Sequence, residues 1–162
     1  MGQALQQAET AAPPSVAIRA LGESDRETIL VMYRGFDPLG AAQGLPPVSE
    51  PGRRDWIRNM LADAVNFGAF DESGRFIGHV ILAPSGPAEM EVAFFVHQGF
   101  RRRRVGTKLL GRAVSHASGH GVQRLWASVG SDNVPSLRLL RGQGFKASSF
   151  TVPSLELELL LV

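Results

Sequence analysis

The stretch from Glu89 to Ser118 constrains the fold most, because a β-prone run passes through four consecutive arginines straight into an amphipathic helix. In EVAFFV the side chains of Glu91, Ala93 and Phe95 share one face and those of Val92, Phe94 and Val96 the other, which is the period of a strand. From Val105 onward, Leu109, Leu110, Ala113, Val114 and Ala117 recur at helical spacing and mark a buried stripe. The strand therefore delivers the chain to a helix N-terminus, where backbone N–H groups lack intrahelical partners and bind anions. Arg101, Arg102, Arg103 and Arg104 sit there against the helix macrodipole, which disfavours each by about 0.3–1 kcal/mol. Their clustering makes sense if an anion lies among them, and Gly106 would let the backbone approach it closely.

The rest of the chain supplies a sheet around this unit. Val16–Ala20 alternates as a first strand, and Ser24 followed three residues later by Glu27 predicts a capping box. The helix it opens runs to about Phe36, with Ile29, Leu30, Met32 and Tyr33 inward, and Asp37-Pro38 ends it. Four prolines and three glycines between Asp37 and Gly52 exclude helix and strand, so a long connection of the kind that often carries function is expected. Arg53–Val65 resumes helical spacing. Asn66–Phe70 and Arg75–Ala83 read as strands joined at Asp71–Gly74, and a second turn at Pro84–Pro87 leads into Glu89–Val96. After the helix Val105–Ser118 come a strand at Arg124–Val129, a helix at Val134–Gln143 and a half-buried strand at Ser154–Val162, where leucine alternates with glutamate. The sum is an α/β fold: a single domain with a mixed, mostly antiparallel central sheet, two helices early and two late. Residues 1–15, rich in Ala, Gln and Pro, read as a flexible tail, and residues 16–162 as the domain.

Composition removes whole classes of chemistry. The chain has no cysteine, so disulfides, thiolate metal sites and cysteine nucleophiles are excluded. His79, His97, His116 and His120 are scattered; the last two share an i, i+4 spacing, but Gly119 and Gly121 end the helix there, and no metal is expected. No basic leader with an apolar run opens the sequence, and no stretch approaches the roughly 20 apolar residues of a membrane span. A cytoplasmic location without membrane contact is the expectation. One basic cluster without the signatures of nucleic-acid-binding folds also argues against a nucleic-acid partner.

With these residues in view, FRRRRVGTKLL resembles the acyl-CoA pyrophosphate loop of GNAT N-acetyltransferases, opened here by Arg101 and closed by Gly106. Arg104 stands where that loop usually has its first glycine. NVPSLRLLRGQGFK is similar to the family's later motif, an Asn opening a helix that ends at a Gly-Phe pair: Asn133, Gly144 and Phe145. The order EVAFFV, basic loop, SDNVP looks most like the acetyltransferase domains of bacterial protein lysine acetyltransferases, without their regulatory or ligase domain.

The resemblance implies an acetyl-CoA-dependent N-acetyltransferase in which acetyl-CoA is a co-substrate and no metal takes part. It implies that Phe94, Phe95 and Val96 lie along the pantetheine arm, mainly through their backbone. Arg101 to Arg104, with Val105, Gly106 and Thr107, would hold the pyrophosphate. Asn133 and Ser136 would complete the CoA site, although Asn133 also caps its helix by ordinary chemistry. Glu91 would be the general base, since a lysine amine of pKa about 10.4 is protonated at neutral pH and cannot attack a thioester. The tyrosine that often protonates the departing thiolate is replaced by Leu140. A thiol of pKa about 8.5 can leave largely unprotonated, so the loss is small. The acceptor, a protein lysine or a small-molecule amine, stays open, as does a homodimer. A catalytically silent acyl-CoA-binding module is the alternative that Arg104 and Leu140 favour, and pairing of Glu91 with an arginine at a sheet edge is the alternative to its catalytic role.

Overall fold

The computed structural model describes residues 15–39 and 45–162, so all of the expected tail but Ser15, and the centre of the early connection, lie outside the described residues. Seven strands form one sheet in the order β1-β2-β3-β4-β5-β7-β6. They are β1 Ala17–Ala20, β2 Val65–Phe70, β3 Phe76–Gly86, β4 Glu89–Val96, β5 Arg124–Gly130, β6 Lys146–Thr151 and β7 Ser154–Leu160. The four helices are α1 Arg26–Arg34, α2 Glu50–Asp63, α3 Val105–Gly119 and α4 Val134–Gly142. Among the described residues β4 and β5 make the only parallel pair, and every other pairing is antiparallel.

The two faces of the sheet carry separate cores. On one, α3 and α4 bury Leu109, Leu110, Leu137 and Leu140 against Val92, Leu125 and Leu157. On the other, α1 and α2 bury Ile29, Tyr33, Phe36 and Ile57 against Ile81 and Phe95. The alternation in β4 sorts its side chains accordingly: Val92, Phe94 and Val96 go to the α3/α4 core, Ala93 and Phe95 to the α1/α2 core. Beneath α1 a buried chain of hydrogen bonds joins four elements. The Tyr33 hydroxyl meets His79 Nδ1 at 2.7 Å, His79 Nε2 meets Asn66 Oδ1 at 2.9 Å, and Asn66 Nδ2 donates to the carbonyl of Met60 at the end of α2.

Several local expectations are corrected. Ser24 does not cap α1; it lies within a 3-10 turn, Glu23–Asp25, whose start is closed by Gly22 N–H donating to Asp25 Oδ2 at 2.9 Å. Glu27 pairs instead with Arg54 at 2.9 Å. Helix α2 starts at Glu50, capped by the Ser49 hydroxyl, because Pro51 is compatible with a first helical turn and needs no loop. The turn assigned to Pro84–Pro87 is shorter, since β3 continues through a register shift between Pro84 and Gly86, and Ala88 turns the chain with φ 57°. Strand β6 has no signature in the sequence: all six of its residues are exposed, so no apolar alternation announces it.

Candidate functional site: a fork between parallel strands

Strands β4 and β5 are in register only over Glu89–Arg124, Met90–Leu125 and Glu91–Trp126. Beyond that rung Val92 to Val96 keep their partners on β3 but have none on β5. The strands part, and one edge of β4 is left open. His97 N–H donates to the Ile77 carbonyl on β3 at 2.9 Å, so by alternation of peptide groups the open edge belongs to Val92, Phe94 and Val96. The peptide groups of Phe95 face β3, and its ring is 9% exposed in the α1/α2 core. An extended ligand with amide groups fits such an edge as a short extra strand would. A pantetheine arm has that character.

Glu91 stands at the closed end of the fork. Its carboxyl is half-buried, and its pKa is raised above the ordinary glutamate value, first by desolvation and then by the charge of Glu156. The alternative of pairing at an edge is not what the structure has, because β4 is a central strand and the arginine is taken by others. Among the described residues Arg124 reaches Glu89 at 3.4 Å, Glu156 at 2.7 Å and Glu158 at 2.6 Å. Trp126, beside Glu91 across the last rung, donates from Nε1 to the Ser85 hydroxyl at 2.8 Å, within the irregular end of β3. Sequence reasoning missed Trp126, Arg124, Glu156 and Glu158. The alternation in SLELELLLV predicts only a half-buried strand, whereas its glutamates share the face on which Glu91 stands.

At the open end of the fork the chain enters α3 as the sequence predicts. The first intrahelical bond is Lys108 N–H to the Arg104 carbonyl at 3.1 Å, which leaves the amides of Val105, Gly106 and Thr107 ahead of the ladder. No side chain caps this end. Arg102 and Arg104 both have φ 62°, the left-handed region that glycine adopts without cost. That explains the usual glycine at position 104: the backbone requires the conformation, and here an arginine tolerates it. A side chain on Gly106 would come within 3.3 Å of Leu139, so its bareness serves the contact of α3 with α4. The heads of Arg102, Arg103 and Arg104 are exposed, with Arg103 over the Phe100 ring at 5.5 Å. Arg101 differs: its Nε donates to the Val96 carbonyl at 3.1 Å and its terminal nitrogen to the Asp37 carbonyl.

Across the fork, Asn133 Oδ1 accepts from Ser136 N–H at 3.3 Å and caps α4. Leu140 is 0% exposed in the α3/α4 core. Among the described residues no group of three or more His, Cys, Asp or Glu side chains could hold a metal.

The model for the Acetyltransferase (GNAT) family matches residues 19–145. A protein of Bacillus subtilis (strain 168), YwnH, named as a candidate phosphinothricin acetyltransferase, is 27% identical over 136 residues, covering 80% of this chain and 83% of its own. The crystal structure of the GNAT domain of S. lividans PAT superposes with a TM-score of 0.77 at 21% identity, over 93% of this chain and 98% of that one. The structure of yncA from Salmonella typhimurium with acetyl-CoA superposes with a TM-score of 0.71 at 20% identity, over 91% and 94% of the two chains.

Proposed function

This chain belongs to the GNAT family of acetyl-CoA-dependent N-acetyltransferases, and we propose that it transfers the acetyl group to a cationic primary amine with Glu91 as general base. The observation that carries the assignment is the position of Glu91: a half-buried carboxyl of raised pKa, not paired with Arg124, at the point where β4 and β5 part. Its carboxylate takes a proton from the ammonium of the acceptor. The freed nitrogen lone pair forms the new C–N bond, the C–S bond breaks, and the second proton that the nitrogen sheds passes through water to the departing thiolate. The open edge of β4 at Phe94 and at the N–H of Val96, whose carbonyl already accepts from Arg101, aligns the pantetheine arm. The amides of Val105, Gly106 and Thr107, with the heads of Arg102 to Arg104, take the pyrophosphate, and Asn133 and Ser136 border it from α4.

The acceptor wall favours a cation. Glu89, Glu91, Glu156 and Glu158 supply four carboxylates against the single guanidinium of Arg124, which already serves three of them. A lysine side chain or a small polyamine gains from that field, and an acceptor that is itself an anionic amino acid is repelled by it. Phosphinothricin, the acceptor in the name of the Bacillus relative, is of the second kind.

The test is CoA release from acetyl-CoA with a lysine peptide, spermidine, an aminoglycoside and phosphinothricin as acceptors. Turnover is expected with at least one cationic amine at a kcat/KM well above that for phosphinothricin. The reverse order rejects the cationic acceptor, and silence across the panel with CoA bound favours a non-catalytic acyl-CoA-binding module.

A further inference from the structure

The segment that follows β4 holds the end of α1 by its backbone. Gln98 Nε2 donates to the Gly35 carbonyl at 2.5 Å, and Gln98 Oε1 accepts from Asp37 N–H at 3.2 Å. The Arg101 guanidinium donates to the Asp37 carbonyl, is anchored to the Val96 carbonyl at 3.1 Å, and lies 5.7 Å from the centre of the Phe36 ring. The backbone groups on both sides of Phe36 are thus read by two side chains more than sixty residues further along the chain. Phe36 in turn is 6% exposed and packs edge-on against Phe95 at 5.8 Å.

Two features set this clamp apart from ordinary loop packing. Both side chains are exposed and belong to residues 97–104, the loop that leads into the uncapped end of α3. What they fix is the end of the helix that, with α2, covers the face of β4 on which Glu91 stands. Arg101 is also the one arginine of the run whose guanidinium is committed to backbone carbonyls, so its charge is spent on the clamp while its three neighbours point outward.

We propose that Gln98 and Arg101 are positioning residues that couple acetyl-CoA binding to the acceptor side of the site. The proposal rests on the pyrophosphate being held at the start of α3. Binding there restrains residues 97–104, hence Gln98 and Arg101, hence Gly35–Asp37 and the packing of Phe36 on Phe95. Coupling between two ligands is reciprocal, so acetyl-CoA raises the affinity for the amine, and the amine that for acetyl-CoA, by the same factor.

Gln98→Ala, Gln98→Glu and Arg101→Ala test it, since both side chains are exposed and their loss leaves the cores intact. Calorimetry with CoA is expected to give a Kd within about twofold of the parent for all three, whereas Arg102→Ala and Arg103→Ala weaken it. In CoA-release assays with spermidine and a lysine peptide, Gln98→Ala and Arg101→Ala are expected to raise the acceptor KM at least fivefold with kcat changed less. Gln98→Glu, which keeps the acceptor for Asp37 N–H and loses the donor to Gly35, falls between. Hydrogen exchange supplies a readout that needs no acceptor: CoA slows exchange across residues 35–39 in the parent and not in Arg101→Ala. An unchanged acceptor KM, a loss of CoA affinity equal to that of Arg102→Ala, or CoA-dependent protection that survives in Arg101→Ala overturns the proposal. If the parent turns over neither amine, the acceptor assignment fails, and the exchange experiment alone decides the clamp. Absence of CoA binding by the parent overturns both.

Discussion

Glu91 and Trp126 form the last register pair before β4 and β5 part, so the proposed base stands at the closed end of the fork with an indole beside it. The indole is held by its bond to Ser85, in the part of β3 where the register shifts. A register shift that re-aims one side chain is a familiar device next to binding sites. Here it pins the Trp126 ring, over which the Arg124 guanidinium lies 6.0 Å from the ring centre.

Replacing Arg104 with glycine is expected to stabilise the protein. The left-handed conformation costs a residue with a side chain about 1–2 kcal/mol. Removing a positive charge from the start of α3 relieves a further ~0.3–1 kcal/mol, and the added freedom of glycine in the unfolded chain takes back about 0.5–1 kcal/mol. A net gain near 1 kcal/mol should appear as a higher urea midpoint at unchanged m-value. If Arg104 meets the pyrophosphate as proposed, CoA affinity should fall and its salt dependence flatten, because one positive charge is gone from the start of α3. A lower midpoint would show that the arginine is held by contacts that its φ of 62° does not reveal.

Leu140→Tyr asks whether the missing tyrosine can be restored. The side chain is 0% exposed among packed leucines, so the larger ring overpacks the core, at about 1–3 kcal/mol, and brings a hydroxyl in need of a partner. A lower melting temperature without a rise in kcat is expected. A rise in kcat would mean that the hydroxyl reaches the fork and that departure of the thiolate limits the parent.

His79 makes stability pH-dependent in a window of its own. Burial lowers its pKa from 6.5 to about 3, so the unfolded chain takes up a proton below pH 6.5 that the folded protein refuses until near pH 3. Stability present above the unfolded value is therefore lost as the pH falls, by roughly 1.4 kcal/mol per pH unit from this one group. His97 and His116, also lowered, add to the slope. An NMR titration isolates His79: its ring signals should stay constant from pH 7.5 to 4.5. Tyr33→Phe takes the hydroxyl from Nδ1 and should cost about 1–3 kcal/mol at pH 7.

How much of this was legible in the sequence depended on how far each feature is local. The strand–arginine–helix unit was, because periodicity of two gives way to periodicity of 3.6 at Val105, and α3 begins there. The cap at Asn133 was legible for the same reason. Strand β6 was not, because an exposed edge strand owes its structure to pairing with β7, which no local pattern records. Pro51 and Gly52 suit a loop by composition but a first helical turn by position, and Ser49, two residues before Pro51, is the local signal for that turn. The surroundings of Glu91 were hidden most deeply. Glu89, Trp126 and Glu156 come from three strands and meet only through register, so a motif along the chain cannot contain them. Arg101 was legible as a cation but not as a clamp, since its partner is the backbone of Asp37.

Glu91→Gln is the decisive substitution, and its effect on rate and its effect on stability should run in opposite directions. A positioned base contributes about 100-fold or more, so kcat should fall by at least that factor while the Kd for CoA stays near the parent value. The raised pKa of Glu91 delays the appearance of the basic form, and in the parent activity should climb with pH through that ionisation. Glu156→Gln removes the second cause of the shift and should move the limb to lower pH; Glu91→Gln should abolish it, leaving only the ionisation of the acceptor amine. For stability the sign reverses. A carboxyl whose folded pKa lies above its unfolded one favours the folded state when protonated, and that contribution is lost as the pH rises through the folded value. The parent thus carries at neutral pH a destabilising ionised group that the glutamine lacks. Melting curves of the two proteins should coincide near pH 4 and separate at pH 7 to 8, with the variant the more stable. A variant that loses activity and stability together would make Glu91 a structural residue, and the base would then be sought at Glu89 or in a water held by the open edge of β4.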